Sequence, residues 1–378
     1  MVKARRVRQH SDMGVTLRFV ADQLVAPTDA DLEQASGDLL QALIASTPRG
    51  CDVAAIVPSG DEHLASSFSG LREVQPVGFG RRELAASWQL GISGTVGGGL
   101  IHSASLMAPL VRHDRANRGD QTVVTLWNYD AWESKASMTK TQRLWTRAML
   151  KRAVKHADAI VVPSFALAEK LSERHRFGER IRVIAGAAPS RFVVPSDAVA
   201  RLRDHNIPAS FVVVPIDDMP PADIADALAG AAGGVTAERD VVIVGAAEGT
   251  EPQIADMAEA AGIAQRHVHV RGVMDAADRA AVMDRADVAV FAGSRVAWPW
   301  RIIEALRLGI PVVATDSALH REVVGDGGLV VAASDLKDAV AQAVGDEAER
   351  LRVLSSDRGR AYSWQSAAEQ VWQLHAEL

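Results

Sequence analysis

The sequence predicts an α/β protein built from two doubly wound, parallel-sheet domains that face each other across a cleft. Three observations carry that expectation. The chain has 378 residues, about twice the length of a common single domain, so each half can bury its own core. Short β-branched runs recur along it and are apolar throughout rather than alternating, as strands covered on both faces require. Amphipathic stretches of helical period separate these runs, the order of elements that feeds a parallel sheet.

Taken in order, residues 1–12 (MVKARRVRQHSD) form a basic arm without periodicity, expected to be disordered. The run MGVTLRFVADQL from Met13 holds the first strand. VAAIV (53–57), TVVTL (122–126), AIVVP (159–163) and IRVI (181–184) continue the first half. FVVVP (211–215), DVVIVG (240–245), HVHVRG (267–272), DVAVFAG (287–293) and IPVVAT (310–315) build the second. Pro, Ser and charged residues interrupt the pattern at 188–208, which places a first domain at 13–192, a linker at 193–207 and a second domain at 208–362. The last segment, 363–378, opens at a Ser363 N-cap. It sets Trp364, Ala368, Val371, Trp372 and Leu378 on one helical stripe that must dock elsewhere.

Composition narrows the function classes. With 48% apolar and 23% charged residues the chain is neither disordered, collagen-like nor a coiled coil. Cys51 stands alone, which excludes an internal disulfide or a cysteine metal site and fits a reducing compartment. No apolar run reaches the ~20 residues a membrane span needs, so the expected location is cytoplasmic. Residues 1–200 carry a net charge of +5 and residues 201–378 one of −11. An acidic second half argues against nucleic acid as a partner.

Local motifs add little catalytic signal. There is no G-x-G-x-x-G after a strand, no P-loop, no H-E-x-x-H and no G-x-S-x-G. The run GTVGGGLIHS (94–103) precedes a strand and reads as a plain loop. His267 and His269 share one face of a strand; without a third ligand nearby they read as a solvated face, and no metal is expected. Asp217 and Asp218 are adjacent, so they are not an opposed glycosidase pair. The helix at 139–158 places Lys140, Arg143, Arg147, Lys151 and Lys155 on one flank and Trp145, Met149 and Ala153 on the other. That pattern fits either a solvated basic face or attraction to an anionic membrane surface or acidic partner.

Four longer stretches, GLIHSASLMAPL (99–110), RAVKHADAIVVPSFALAEKL (152–171), RIRVIAGA (180–187) and IIEALRLGIPVVATDSALHREVVGDGGLVV (302–331), occur in an order that resembles the GT-B glycosyltransferases of family 4 (group 1 type). The resemblance covers residues 14–378. It implies two Rossmann-like domains, an acceptor-side first and a donor-side second, with the terminal helix crossing back to the first domain. It further implies transfer of a hexose, with retention, from a nucleotide-diphosphate sugar held without a metal or other cofactor.

The family's donor residues are altered at four places. The Gly-Gly loop after the first strand aligns with Ala30 and Asp31, whose Cβ atoms and negative charge oppose a diphosphate. Trp127 and Asn128 replace a His-Asp pair beside the sugar, and indole cannot shuttle a proton. Pro220 and Pro221 stand where an Arg-Lys pair clamps phosphate, and no Lys or Arg lies between Arg203 and Arg239. Of two Glu separated by seven intervening residues, the first is Val296 and the second, the ribose-binding carboxylate of the family, is Glu304. Trp298 and Trp300 follow Val296. The remaining donor-binding candidates are therefore Glu304, Arg295, Arg301 and Trp298.

These departures predict a catalytically degenerate subunit, or a glycan-binding partner of an active glycosyltransferase, in surface polysaccharide or glycolipid biosynthesis. Trp127, Trp132, Trp298 and Trp300 suit stacking on sugar rings and equally suit plugging the cleft. The alternative is an active, divergent retaining hexosyltransferase in which Arg295 and Arg301 replace the lost phosphate cations. Contact with a membrane through 139–158, peripheral at its inner face, is compatible with both.

Overall fold

The computed structural model describes residues 14–59, 67–94, 96–114, 119–133, 138–217 and 219–378. The basic arm 1–12 and Asp218 lie outside the described residues.

The first half folds as β1 (Val15–Val20), α1 (Ala30–Ala45), β2 (Cys51–Pro58), β3 (Val74–Val77), α2 (Arg81–Leu90), β4 (Leu100–Ser103), β5 (Gln121–Thr125), α3 (Lys140–His156), β6 (Ala159–Val162), α4 (Phe165–Arg174) and β7 (Ile181–Val183). Its seven strands are all parallel, in the order β3-β2-β1-β4-β5-β6-β7. After α5 (Ala198–Asp204) the second half continues with β8 (Phe211–Pro215), α6 (Pro221–Ala231), β9 (Asp240–Ala246), α7 (Glu251–Ala260), β10 (Val268–Gly272), α8 (Ala276–Arg285), β11 (Val288–Phe291), α9 (Trp300–Leu308), β12 (Val312–Thr315), α10 (Ala318–Val324), β13 (Gly328–Val331), α11 (Leu336–Ala343), α12 (Ala348–Gly359) and α13 (Trp364–Glu377). Its six strands are parallel in the order β10-β9-β8-β11-β12-β13. Both sheets are doubly wound, and each reverses direction beside its first strand. The loops after β1 and β4, and those after β8 and β11, therefore gather at the two switch points, where α/β sheets place ligands, and the loop after β5 lies one strand away.

The β-branched runs became strands because both of their faces are covered: Val212, Val213, Val214, Val241, Val242 and Ile243 are all fully buried. Strands β3, β4 and β13 carry weaker signals, with Pro76, His102 and Gly328 interrupting the apolar run, and they extend the sheets beyond the listed runs. Within 193–207, α5 is anchored by Arg201, whose guanidinium bonds Asp197 at 2.9 Å and Asp278 of α8 at 2.7 Å.

Helix α13 starts at Ser363, whose hydroxyl accepts from the Ser366 amide at 3.1 Å. It crosses back to the first domain. Ala367, Ala368, Val371, Trp372 and Leu374 join Leu39, Leu40 and Leu43 of α1 in one cluster with β1 and β2. The Trp372 indole donates to the Leu43 carbonyl at 3.2 Å. His375 lies edge-on to the fully buried His102 of β4, with 3.3 Å between His375 Nε2 and His102 Nδ1 and 2.9 Å between His375 Nδ1 and Gln121 Oε1. Burial lowers the pKa of both rings, that of His375 to about 4.

Candidate functional site

The cleft where a ligand would sit is filled by side chains from both domains. The loop after β5 presents Trp127, the loop between β11 and α9 presents Trp298, and α9 opens with Trp300. Trp127 lies 5.0 Å from Trp300 and 6.4 Å from Trp364, ring centre to ring centre, and Trp298 lies 6.4 Å from Trp300 and 5.8 Å from Tyr362. Trp127 and Trp298 are buried, at 7% and 4% exposure. Gly186 makes room for them: a Cβ there would sit 2.9 Å from the Trp127 ring and 3.0 Å from Trp298 Nε1. The Trp127 indole donates to the Ala104 carbonyl at 2.7 Å.

The backbones meet as well. Asn128 and Ala297 form an antiparallel bridge, in which the Trp298 amide donates to the Trp127 carbonyl at 2.9 Å and the Tyr129 amide donates to the Val296 carbonyl at 3.1 Å. Val296 packs against apolar clusters of both domains. Of the two roles open to the indoles, stacking on sugar or plugging, this geometry is plugging: the buried faces of Trp127 and Trp298 already lie against protein.

The arginines expected as substitute phosphate cations are engaged across the same gap. Arg295 forms a two-pronged pair with Asp130, at 2.8 and 2.7 Å. One Arg301 nitrogen, Nη2, holds both oxygens of Asp31, at 2.7 and 2.8 Å; Nη1 bonds Glu304 at 2.6 Å, and Nε lies 3.6 Å from Asp217. Asp31 reaches this position because Asp29 caps α1, accepting from the Leu32 amide at 2.9 Å, and so sets Asp31 in the first turn facing the second domain. Burial pushes the Asp31 carboxyl up to about 6, against the pull of Arg301. Arg301 is held protonated by its three carboxylate neighbours.

Glu304 is enclosed by arginines. Its side chain is fully buried, and Arg279 of α8 grips it through Nε at 2.8 Å and Nη2 at 2.7 Å while Arg301 adds a third bond. Arg279 in turn lies 5.7 Å over the Phe192 ring, at the domain junction. A carboxylate so enclosed positions arginines and has no oxygen turned to a ribose.

A cavity of about 150 Å³ remains between Asp31, Asp217, Asp223, Arg295, Trp300 and Arg301. Ligand sites for molecules of drug size, the class a nucleotide sugar belongs to, run upward from roughly 300 Å³, about twice this volume. The electrostatics also oppose one. Five carboxylates (Asp31, Asp130, Asp217, Asp223, Glu304) face three guanidinium groups (Arg279, Arg295, Arg301) in and just behind the wall. Pro220 precedes α6 and Pro221 opens it, so neither contributes an N–H to an anion at that helix start. Ala30 is exposed on α1, and Asn128 spends its side-chain oxygen on the Asp130 amide at 3.2 Å.

Elsewhere the structure revises two minor expectations. His267 ends the short turn before β10 and His269 lies in the strand, and they are not simply solvated: they hold the two oxygens of Asp240 at 2.6 and 3.0 Å. Among the described residues no cluster of three His, Cys, Asp or Glu side chains could hold a metal ion. The 139–158 helix runs from Lys140 to His156, started by a reciprocal Thr139–Gln142 cap.

Two residues of this site, Asp130 and Arg279, escaped the sequence reading. Asp130 follows Asn128 by two positions, and its partner Arg295 lies 165 positions away across the cleft. Arg279 carries no local signal, since its partner is 25 positions away.

Residues 226–347 match the profile of the family described as Glycosyl transferases group 1. No curated protein matches the chain. Among solved structures, the chain resembles sucrose-phosphate synthase from Thermosynechococcus elongatus at 18% identity, with 96% of this chain and 98% of that one covered and a TM-score of 0.68. It resembles Anabaena HepE, solved with UDP and glucose, at 18% identity over 96% and 100% of the two chains, TM-score 0.65. The third is WaaG, a glycosyltransferase involved in lipopolysaccharide biosynthesis, at 15% identity over 94% and 98%, TM-score 0.59. These likenesses establish the two-domain GT-B fold over nearly the whole chain.

Proposed function

We propose that this chain, a GT-B protein with a group 1 glycosyltransferase domain over residues 226–347, is a non-catalytic partner of an active glycosyltransferase in surface polysaccharide or glycolipid biosynthesis. The carrying observation is the sealed cleft. Trp127, Trp298 and Trp300, a backbone bridge and two interdomain ion pairs occupy the space between the switch points. The residues that would hold a donor are turned to domain cohesion instead. The setting in glycan assembly is drawn from neighbours such as WaaG, a glycosyltransferase involved in lipopolysaccharide biosynthesis.

Thermal denaturation of the purified protein against a panel of nucleotides and nucleotide sugars tests this reading. A ligand at 100 times its dissociation constant would add about 2.7 kcal/mol and raise the midpoint by several degrees. The expected result is no shift with any donor at millimolar concentration, together with no donor hydrolysis.

A second reading, an active retaining hexosyltransferase, draws on the group 1 match and on Glu304. It requires the domains to part and to release Arg295 and Arg301 to phosphate. A nucleotide-selective shift, with hexose released from that same nucleotide sugar, would establish it and overturn the first.

A further inference from the structure

The small cavity left in the closed cleft suits a charge opposite to that of a phosphate. Its wall holds more carboxylates than its guanidinium groups can answer, and the surplus falls on two residues. Asp217, in the loop after β8, has its nearest cation in Arg301 Nε at 3.6 Å, beyond hydrogen-bond reach. Asp223, in the first turn of α6, makes no hydrogen bond or ion pair among the described residues. The start of that helix favours its charge, yet burial and the nearby Asp226 push its carboxyl up against the pull of Arg295. Two glycines in the left-handed region make room for these carboxylates. A Cβ on Gly245 (φ 86°) would fall 2.5 Å from Asp217 Oδ2, and one on Gly293 (φ 109°) would collide with Asp223.

Three polar atoms of the residues lining this cavity lack partners. Asp217 Oδ2 and Arg301 Nε are buried and unbonded. His320 of α10 is 7% exposed, and its Nδ1–H is given to the Thr315 carbonyl at 2.7 Å. Burial lowers its pKa and keeps the ring neutral, so Nε2 is a lone-pair acceptor with no partner among the described residues. Phe291, Trp298 and Trp300 complete the lining with aromatic surface.

We propose that this cavity binds a small hydroxylated ammonium ion, an amino alcohol of a few heavy atoms. An ammonium group brings a positive charge and three N–H donors, which Asp217, Asp223 and His320 Nε2 are there to accept. Aromatic faces favour a cation beside them. A hydroxyl both donates and accepts, so it joins Asp217 Oδ2 to Arg301 Nε across their gap. Water would meet these hydrogen bonds and leave the charge of the wall unanswered, and a carboxylate or phosphate would add to that charge. The carboxylates do not converge on a metal ion: no three His, Cys, Asp or Glu side chains among the described residues could hold one. The site rests on the closed, donor-free cleft proposed above, because Asp31, held by Arg301, forms the first-domain side of the wall.

Titration of the full chain with 2-aminoethanol at neutral pH and constant ionic strength tests the proposal, followed by tryptophan fluorescence because Trp298 and Trp300 line the cavity. One saturable site is expected, with a dissociation constant of roughly 1 mM, in keeping with so few heavy atoms. Ethane-1,2-diol, which lacks the charge, and glycolate, which reverses it, should bind at least ~10-fold more weakly. Ethylamine, which lacks the hydroxyl, should bind about fivefold more weakly. Asp223→Asn should weaken 2-aminoethanol about tenfold with the melting midpoint unchanged, since Asp223 has no bonded partner to lose. The proposal is overturned if 2-aminoethanol gives no saturable signal, if the diol binds equally well, or if the Asp223→Asn protein binds like the wild type. A nucleotide sugar that bound would overturn the sealed cleft as well, whereas failure of 2-aminoethanol without nucleotide binding removes this ligand alone.

Discussion

A carboxylate removed from water keeps its charge only where donors replace its hydration, and Glu304 has three such bonds from Arg279 and Arg301. Glu304→Ala should cost about 3–5 kcal/mol, because two guanidinium groups lose their compensation in the interior; a lowered urea midpoint will show it. Asp31 makes the opposite kind of statement. Its carboxyl, raised from 3.8 to about 6 by burial, favours folding when protonated. Its contribution is therefore full below pH ~4 and lost as pH rises through ~6, on the order of 3 kcal/mol. Asp31→Asn should remove that decline from urea midpoints measured between pH 4 and 7. In the sequence Asp31 reads as a charge that opposes a phosphate. Its partner is 270 positions away, so no spacing rule could say that the charge serves Arg301 instead.

At the level of elements, α13 is a helix of the last residues that stabilises the first domain. Its apolar stripe was legible because Trp364, Ala368, Val371 and Trp372 repeat at helical spacing, and a stripe at a chain end has to find a surface. The structure adds the surface, α1 with β1 and β2. Trp372→Ala should cost about 3–5 kcal/mol and reduce the thermal midpoint by several degrees. The buried His102–His375 pair could not be anticipated, since one ring lies in a strand and the other 273 positions later. Both rings are held neutral. The unfolded chain takes up protons below pH ~6.5 that the folded chain refuses until about pH 4, so stability from this pair falls as pH falls through that window. Its slope runs opposite to that of Asp31. The pair refuses two protons where Asp31 holds one, so from these groups the wild type should gain stability as pH rises from about 4 to 6, more steeply in Asp31→Asn and less steeply in His375→Gln.

The whole molecule behaves as one body because its two sheets share contacts that neither domain could make alone. The pattern of strands and helices predicted both halves, since periodicity is a local property of the chain. Closure was illegible, because it depends on Trp127 meeting Trp300 and on Arg295 finding Asp130 across the chain. Small-angle scattering should give a radius of gyration near ~21 Å, as expected for a compact chain of this length, unchanged by added nucleotide sugar. Asp31→Arg with Asp130→Arg places like charges at both latches and should increase it measurably. One further junction lies outside the cleft. The Glu322 carboxylate of α10 accepts from the amides of Phe165 and Ala166, at 2.7 and 2.9 Å, and so closes the first turn of α4 from the other domain. Those two amides have no partner inside their own helix. Their deuterium uptake therefore clocks how often the halves separate, and a single peptide spanning 165–166 reports, in seconds or hours, the lifetime of the closed molecule.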